Sequence, residues 1–264
     1  MDSLYHICYN NAMDTRSEDK IILIDKPAGI SSFGVVAKVR GRLKTEFGHK
    51  VKVGHTGTLD PFATGLLILL SGKMTKKSNE FLKKDKVYEA TLKLGYTSTT
   101  GDPEGEIQLY PGEGGPEPGK ARISAPRPWQ TAPWDAEGPK DLRAEATRPE
   151  LDIIESVISS FIGEIEQTPP RFSAIKINGE RAYKLARKGT DFEIPKRKVT
   201  IYSIEILDYN YPELKIRTHV SSGTYIRTLA EDIGKKLGTG AYLTALRRTK
   251  IADYDVKDAE KLVL

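Results

Sequence analysis

Apolar residues fall along this chain in three spacings, and each predicts a different element. Continuous runs at Ile21–Ile24 and Leu66–Leu70, with Val51 and Val53 around Lys52, have the length and flanking Gly and Pro of buried strands. Period-two alternation marks Lys86–Gly95 as a half-buried strand. Val87 and the pair Leu92/Leu94 lie on opposite parities there, which leaves either face open to Tyr88. Val199–Leu207 and Leu214–Val220, around Asn210, read as two more strands. Helical spacing covers Phe33–Phe47, where Ser31 or Ser32 offers an N-cap and Val35, Val36, Val39 and Leu43 share one face. It also covers Met74–Lys84, Leu151–Ile162 ending at Gly163, Ala182–Lys188, and Thr224–Gly234 with Ile226, Leu229, Ala230 and Ile233 inward. Tyr242–Arg248 reads as a last short helix. Gln167–Lys176 is a rigid Pro-Pro entry into a short strand, and Asn178-Gly179 is a hairpin turn signal.

Composition sorts this pattern into domains. Residues 1–20 mix charge and polarity without an apolar core, so they predict a flexible extension and no secretory signal. Eight of the fifteen prolines and both tryptophans, Trp129 and Trp134, fall within residues 111–149, a stretch poor in aliphatics that predicts a flexible insertion or lid. The remainder, 21–250, reads as one domain, followed by a short tail at 251–264. No apolar run approaches the roughly 18 residues of a membrane helix. Cys8 is the only cysteine, which excludes internal disulfides and thiolate metal sites and makes the cytoplasm the expected compartment. The net charge of +5 is concentrated in Lys38–Lys52, Lys73–Lys86 and Arg171–Lys198. Three such clusters make nucleic acid, or another polyphosphate, a candidate partner.

Chemistry concentrates in Gly54-His55-Thr56-Gly57-Thr58-Leu59-Asp60-Pro61-Phe62-Ala63-Thr64-Gly65, a polar, glycine-rich loop between two apolar runs. Pro61 biases Asp60 toward an extended backbone, so its carboxylate has a set direction. No Lys or Arg lies close in sequence to neutralise it. On local chemistry the aspartate is either a loop cap or a catalytic group on a rigid scaffold.

Five ordered segments resemble the TruB-type pseudouridine synthases, which make pseudouridine in the T loop of tRNA. They are Leu23-Ile24-Asp25-Lys26-Pro27 with Gly29 and Ser31-Ser32; Gly54–Pro61; Lys86-Val87-Tyr88; Thr168–Lys176; and Gly223-Thr224-Tyr225-Ile226-Arg227. The resemblance spans about residues 21–105 and 151–250. It implies an α+β fold with a central mixed, largely antiparallel sheet, flanking helices and a cleft, working without cofactor; no metal is expected, because no second His, Cys or acid cluster has ligand spacing. By matching positions, Asp60 becomes the nucleophile, attacking ribose C1′ or uracil C6 or serving as base in a glycal route. Arg227 becomes its ion-pair partner. Tyr88 stacks on the target base and is a candidate proton acceptor. Tyr225 and Leu246 line the pocket, and His55 fills the space that the flipped nucleotide leaves. Lys26, Lys76 and Arg171 are assigned to phosphates.

Two departures qualify the resemblance. Bacterial members commonly carry a small RNA-binding domain after the Leu-Arg-Arg segment, which is not expected in Thr249–Leu264, and the 111–149 insertion has no counterpart in compact members. The expected protein is a monomer acting on the T arm of tRNA at position 55, without a membrane or a guide-RNA particle. The competing readings are the same chemistry on mRNA or rRNA, and an RNA-binding folding chaperone without chemistry.

Overall fold

A computed structural model describes residues 17–110, 148–177 and 179–262. The Trp129/Trp134 insertion through residue 147, Asn178 of the hairpin turn, and residues 1–16 of the extension lie outside the described residues. In chain order the strands are β1 (Ile21–Lys26), β2 (Val53–His55), β3 (Thr64–Ser71), β4 (Lys86–Leu94), β5 (Tyr96–Ser98), β6 (Ile107–Leu109), β7 (Gly163–Gln167), β8 (Lys176–Ile177), β9 (Glu180–Arg181), β10 (Arg197–Asn210), β11 (Glu213–Val220), β12 (Ala241–Ile251), β13 (Tyr254–Asp255) and β14 (Glu260–Lys261). The helices are α1 (Ser32–Phe47), α2 (Ser78–Leu82), α3 (Leu151–Ser159), α4 (Ala182–Arg187) and α5 (Ile226–Lys236). None is long and apolar enough to cross a membrane.

The main sheet runs β14-β1-β3-β12-β4-β11-β10-β7, with β2 added to β3 and β13 to β12. Among the described residues only the β1/β14 and β3/β12 pairs are parallel, so the architecture is the expected α+β fold on a mixed, largely antiparallel sheet. β3 lies inside it, with Leu67 and Leu69 in the main core and Leu66, Ile68 and Leu70 packed with Phe81 and Ile251 on the other face. Burial on both faces is why its sequence is continuous rather than alternating. β4 turns Tyr88, Ala90, Leu92 and Leu94 inward together, which settles the side of Tyr88. α1 starts at Ser31, whose hydroxyl accepts from Gly34 N at 3.0 Å, and buries the expected Val35, Val36, Val39 and Leu43.

Two expectations change. Tyr242–Arg248 is not a helix but the middle of β12, held between β3 and β4. Register shifts between Leu243 and Ala245 and between Arg248 and Lys250 break its period-two pattern, and the residual spacing imitates a helix. The 151–163 helix stops at Ser159; Ser160 Oγ donates to Val157 O at 2.6 Å, and Gly163, at φ +113°, opens β7 instead of capping a helix. Within the short tail expected after residue 250, residues 251–262 add strands to the sheet, since β13 pairs with β12 and β14 with β1.

β12 and β3 meet most closely where the backbone of Arg248 faces Gly65. A Cβ on Gly65 would lie 2.3 Å from the Arg248 carbonyl oxygen, at a φ of +99°. Gly65→Ala is therefore expected to cost at least about 2 kcal/mol of stability, through strain and forced separation of the strands. Urea unfolding measures it, and an unchanged midpoint would show that the two strands part freely.

Candidate active site

The loop between β2 and β3 is tied down from three directions. From α1, Ser32 Oγ donates to Leu59 O and accepts from Leu59 N, each at 2.8 Å. From the end of β1, Lys26 Nζ donates to Pro61 O at 3.2 Å, and Gly29 N donates to the same oxygen at 2.9 Å. From β12, Arg248 Nη2 donates to Gly57 O at 3.1 Å. Thr56 adds two bonds to Ile68 O through its amide and hydroxyl. A short segment with so many anchors holds Asp60 in one place.

Asp60 Oδ2 lies 3.1 Å from Arg227 Nε. The Asp60 side chain keeps 32% of its surface exposed, whereas Arg227 keeps 5%. Arg227, in the first turn of α5, also donates through Nη1 to Asp102 Oδ2 and Thr100 O, both at 3.0 Å, and through Nη2 to Phe172 O at 2.9 Å. Asp102 is itself buried and fixed by Thr100 Oγ1 at 2.5 Å and Glu104 N at 3.0 Å. One guanidinium thus joins two carboxylates and two carbonyls. Burial pushes the Asp60 carboxyl above its ordinary 3.8; Arg227 pulls it back, Asp102 adds to the rise, and Lys26 and Arg248 oppose it.

The other expected site residues divide into those around this pair and those elsewhere. Tyr88 is buried on β4, its hydroxyl 3.5 Å from Arg248 Nη1. Leu246, 7% exposed, stands on β12 opposite Ala90 of β4. His55 ends β2; burial, then the charges of Arg248 and Arg181, hold its imidazole below 6.5, and its Nδ1 accepts from Gly57 N at 3.4 Å. Tyr225 precedes α5, its backbone clasped by the Gln167 amide at 3.1 and 3.3 Å and its ring 5.3 Å from the Arg197 guanidinium. Arg171 is exposed and bound to Asp191 and Thr190 O. Lys76 is exposed on the turn of helix at 72–77.

Lys26 does not face a phosphate. Its side chain is fully buried, with Nζ donating to the carbonyls of Pro27, Ile30 and Pro61. Burial lowers its ammonium to about 8, against the attraction of Asp60 and Glu104. Among the described residues its ammonium is turned to three convergent carbonyls and away from the surface where a phosphate would lie.

Two residues of the site escaped the reading of the sequence. Asp102 sits in the Asp-Pro-Glu-Gly turn, where a turn-forming role already accounts for it. Arg248 closes the Leu-Arg-Arg segment, read as a helix end, yet it is 1% exposed and touches both the Asp60 loop and Tyr88.

A model of the TruB family pseudouridylate synthase N-terminal domain matches residues 43–115 and 128–226, and one of the tRNA pseudouridylate synthase B C-terminal domain matches residues 227–263. The chain belongs to the TruB family. A Phocaeicola vulgatus protein named tRNA pseudouridine synthase B is 43% identical over 243 residues, which cover 91% of this chain and 89% of that protein. Its Flavobacterium johnsoniae namesake is 41% identical over 250 residues, 94% of each chain. Among solved structures, a chain of a Cbf5-Nop10-Gar1 complex superposes with a TM-score of 0.61 at 26% identity, over 93% of this chain and 53% of its own length. A chain of an H/ACA ribonucleoprotein bound to a substrate RNA containing 2′-deoxyuridine gives a TM-score of 0.56 at 25% identity, covering 91% and 50%. This TruB-family chain therefore spans about half the length of those solved chains. The ion pair bridges the two matched regions, since Asp60 lies in the first and Arg227 opens the second.

Because desolvation outweighs Arg227 at Asp60, an NMR titration of the Asp60 carboxyl is expected to show a midpoint above 3.8, moved further up by Arg227→Gln. A wild-type midpoint at or below 3.8 would mean that the guanidinium dominates.

Proposed function

We propose that this chain isomerises uridine to pseudouridine at position 55 in the T loop of tRNA. The observation that carries this reading is the state of Asp60. One oxygen is paired with a buried arginine; among the described residues nothing hydrogen-bonds Oδ1, and the side chain still reaches solvent. A carboxylate that is fixed, partly desolvated and open on one oxygen is suited to attack a carbon or take a proton. The named relatives add the substrate class, tRNA.

The reaction breaks the C1′–N1 bond and forms C1′–C5, with the C5 proton lost and N1 protonated. It requires the uridine to leave the stack, at a cost of a few kcal/mol. In this reading Tyr88 and Leu246, side by side on the inner face of β4 and β12, form the floor against which the base packs. His55, uncharged at neutral pH, occupies the gap left in the RNA without a charge to desolvate. Tyr225 forms a wall. Asp60 then acts as the nucleophile at C1′ or C6 or as the base of a glycal route, while Arg227 holds its orientation. Phosphates meet the exposed bases of the β8/β9 hairpin and α4, among them Lys176, Arg181 and Lys184. The enzyme acts as a monomer in the cytoplasm, without cofactor or guide RNA.

The C5 proton leaves by every route, so tritium release from an unmodified tRNA transcript labelled at uridine C5 tests the proposal. Wild-type protein alone is expected to release one tritium per tRNA, and Asp60→Asn to be slower by about a thousandfold or more with RNA binding retained. No release from tRNA, or release only from an mRNA or rRNA fragment, would sink the assignment of substrate. Binding affinity is expected to fall steeply as salt rises, because phosphate contacts release counterions; a flat response would remove the basic hairpin from the RNA face.

A further inference from the structure

Arg248 is the largest fully buried side chain of the described residues, and all of its hydrogen-bond acceptors are neutral. Nε donates to Leu66 O at 2.8 Å and Nη2 to Gly57 O at 3.1 Å, while Nη1 lies 3.5 Å from both Thr58 O and the Tyr88 hydroxyl. Its Cζ stands 6.0 Å from the centre of the Tyr88 ring. No carboxylate forms an ion pair with it among the described residues, in contrast to Arg227 and to its neighbour Arg247, which grips Asp25 at 2.9 and 3.1 Å. A buried cation without a counterion is costly, so its position calls for a compensating role.

Geometry supplies one. The guanidinium plane spans from the descending limb of the Asp60 loop, at Gly57 and Thr58, across Leu66 at the start of β3, to Tyr88 on β4. The backbone of Arg248 is itself locked against Gly65 on the other side of that loop. The Asp60 loop and Tyr88 belong to strands that are not neighbours, since β12 lies between β3 and β4. Arg248 reaches both. Its charge also acts beyond its contacts: it favours the ionised form of Asp60 and disfavours protonation of His55, Lys26 and Lys86.

We propose that Arg248 is a positioning residue for the isomerisation, a guanidinium strut that sets the separation between the Asp60 carboxylate and the Tyr88 ring where the uracil is to lie. The proposal rests on the reading of Asp60 and Tyr88 given above. A planar fork serves three directions at once, which a lysine ammonium on a flexible stem does not. Lysine at this position preserves the charge near Asp60 but loses the set spacing. Methionine loses both. A displacement on the order of 1 Å between reacting groups lowers a rate roughly a hundredfold.

The experiment compares single-turnover tritium release from C5-labelled tRNA by wild type, Arg248→Lys and Arg248→Met, with the folded fraction of each measured by near-ultraviolet circular dichroism. Arg248→Lys is expected to lower the maximal rate roughly 10- to 100-fold while half-saturation stays within about threefold, with the acid limb of the rate profile in place. Arg248→Met is expected to move that limb to higher pH as well, because Asp60 has lost a nearby cation. Folded variants with the wild-type rate and limb would overturn the proposal, and so would a loss that merely tracks the unfolded fraction. A double-mutant cycle with Tyr88→Phe, run on Arg248→Lys, is expected to be non-additive. Additive losses would show that the arginine does not act through the tyrosine. If wild-type protein releases no tritium, the functional reading fails. If wild type is active and folded Arg248→Lys matches it, only the strut fails. Should neither variant fold, the same cycle on Arg248→Gln decides by the same criteria.

Discussion

Everything at the site turns on one buried guanidinium that must be paid for. Arg227 is nearly without solvent, and a cation so placed is tolerated only when acceptors and counter-charges surround it. Here Nε meets Asp60, Nη1 meets Asp102 and Thr100 O, and Nη2 meets Phe172 O. Asp102 is what separates the two roles of Asp60. Held by Thr100 and the Glu104 amide, it neutralises Arg227 permanently. If Asp60 becomes esterified, protonated or otherwise uncharged during a reaction, the arginine is not stranded. A two-residue ion pair would lose its counterion at the moment of chemistry; this three-residue arrangement does not.

The sheet order makes that arrangement depend on the whole chain. β12, close to the C-terminal end, is inserted between β3, which follows Asp60, and β4, which carries Tyr88. Arg227 arrives on α5, immediately before β12. The acid, the arginine and the tyrosine therefore come from segments separated by up to 167 positions, and they meet only when β12 has entered the sheet. Contacts of such sequence separation close late, because loop-closure entropy is spent before they form. The rigid anchors on the Asp60 loop, Ser32, Lys26 and Arg248, likewise come from three different elements.

What could be read from residues alone follows from this. The helices α1 and α5 and the strands β1, β3 and β4 carry their own periodicity and caps, so local pattern predicts them. Asp60 stood out because a glycine-rich loop leaves it without a nearby cation, and the family resemblance supplied Arg227 from far along the chain. β12 was misread because its two bulges remove the parity that marks a strand. The burial of Lys26 could not be read, because an ammonium buried under three carbonyls and one exposed to phosphate look the same in sequence. Asp102 was hidden behind a turn signal that is also correct. Each miss concerns a polar side chain, or a strand, whose surroundings are built by remote segments.

The electrostatics of Asp60 give the arrangement its sense. Two carboxylates, Asp60 and Asp102, lie within reach of three cations, Arg227, Lys26 and Arg248, yet burial still raises the Asp60 carboxyl above its ordinary value. An anion kept comfortable by full pairing and hydration would be a poor nucleophile; one left to desolvation alone would be protonated at neutral pH. An RNA seated over the exposed third of the side chain would press the balance further toward protonation, by displacing its water and adding negative charge. Arg227 opposes that by contact, whereas Lys26 and Arg248, bonded only to neutral groups, oppose it through their field. Their carbonyl-bound burial is then more than structural support, because neither charge is cancelled by a paired carboxylate and both act on Asp60, Lys26 only below its lowered value of about 8.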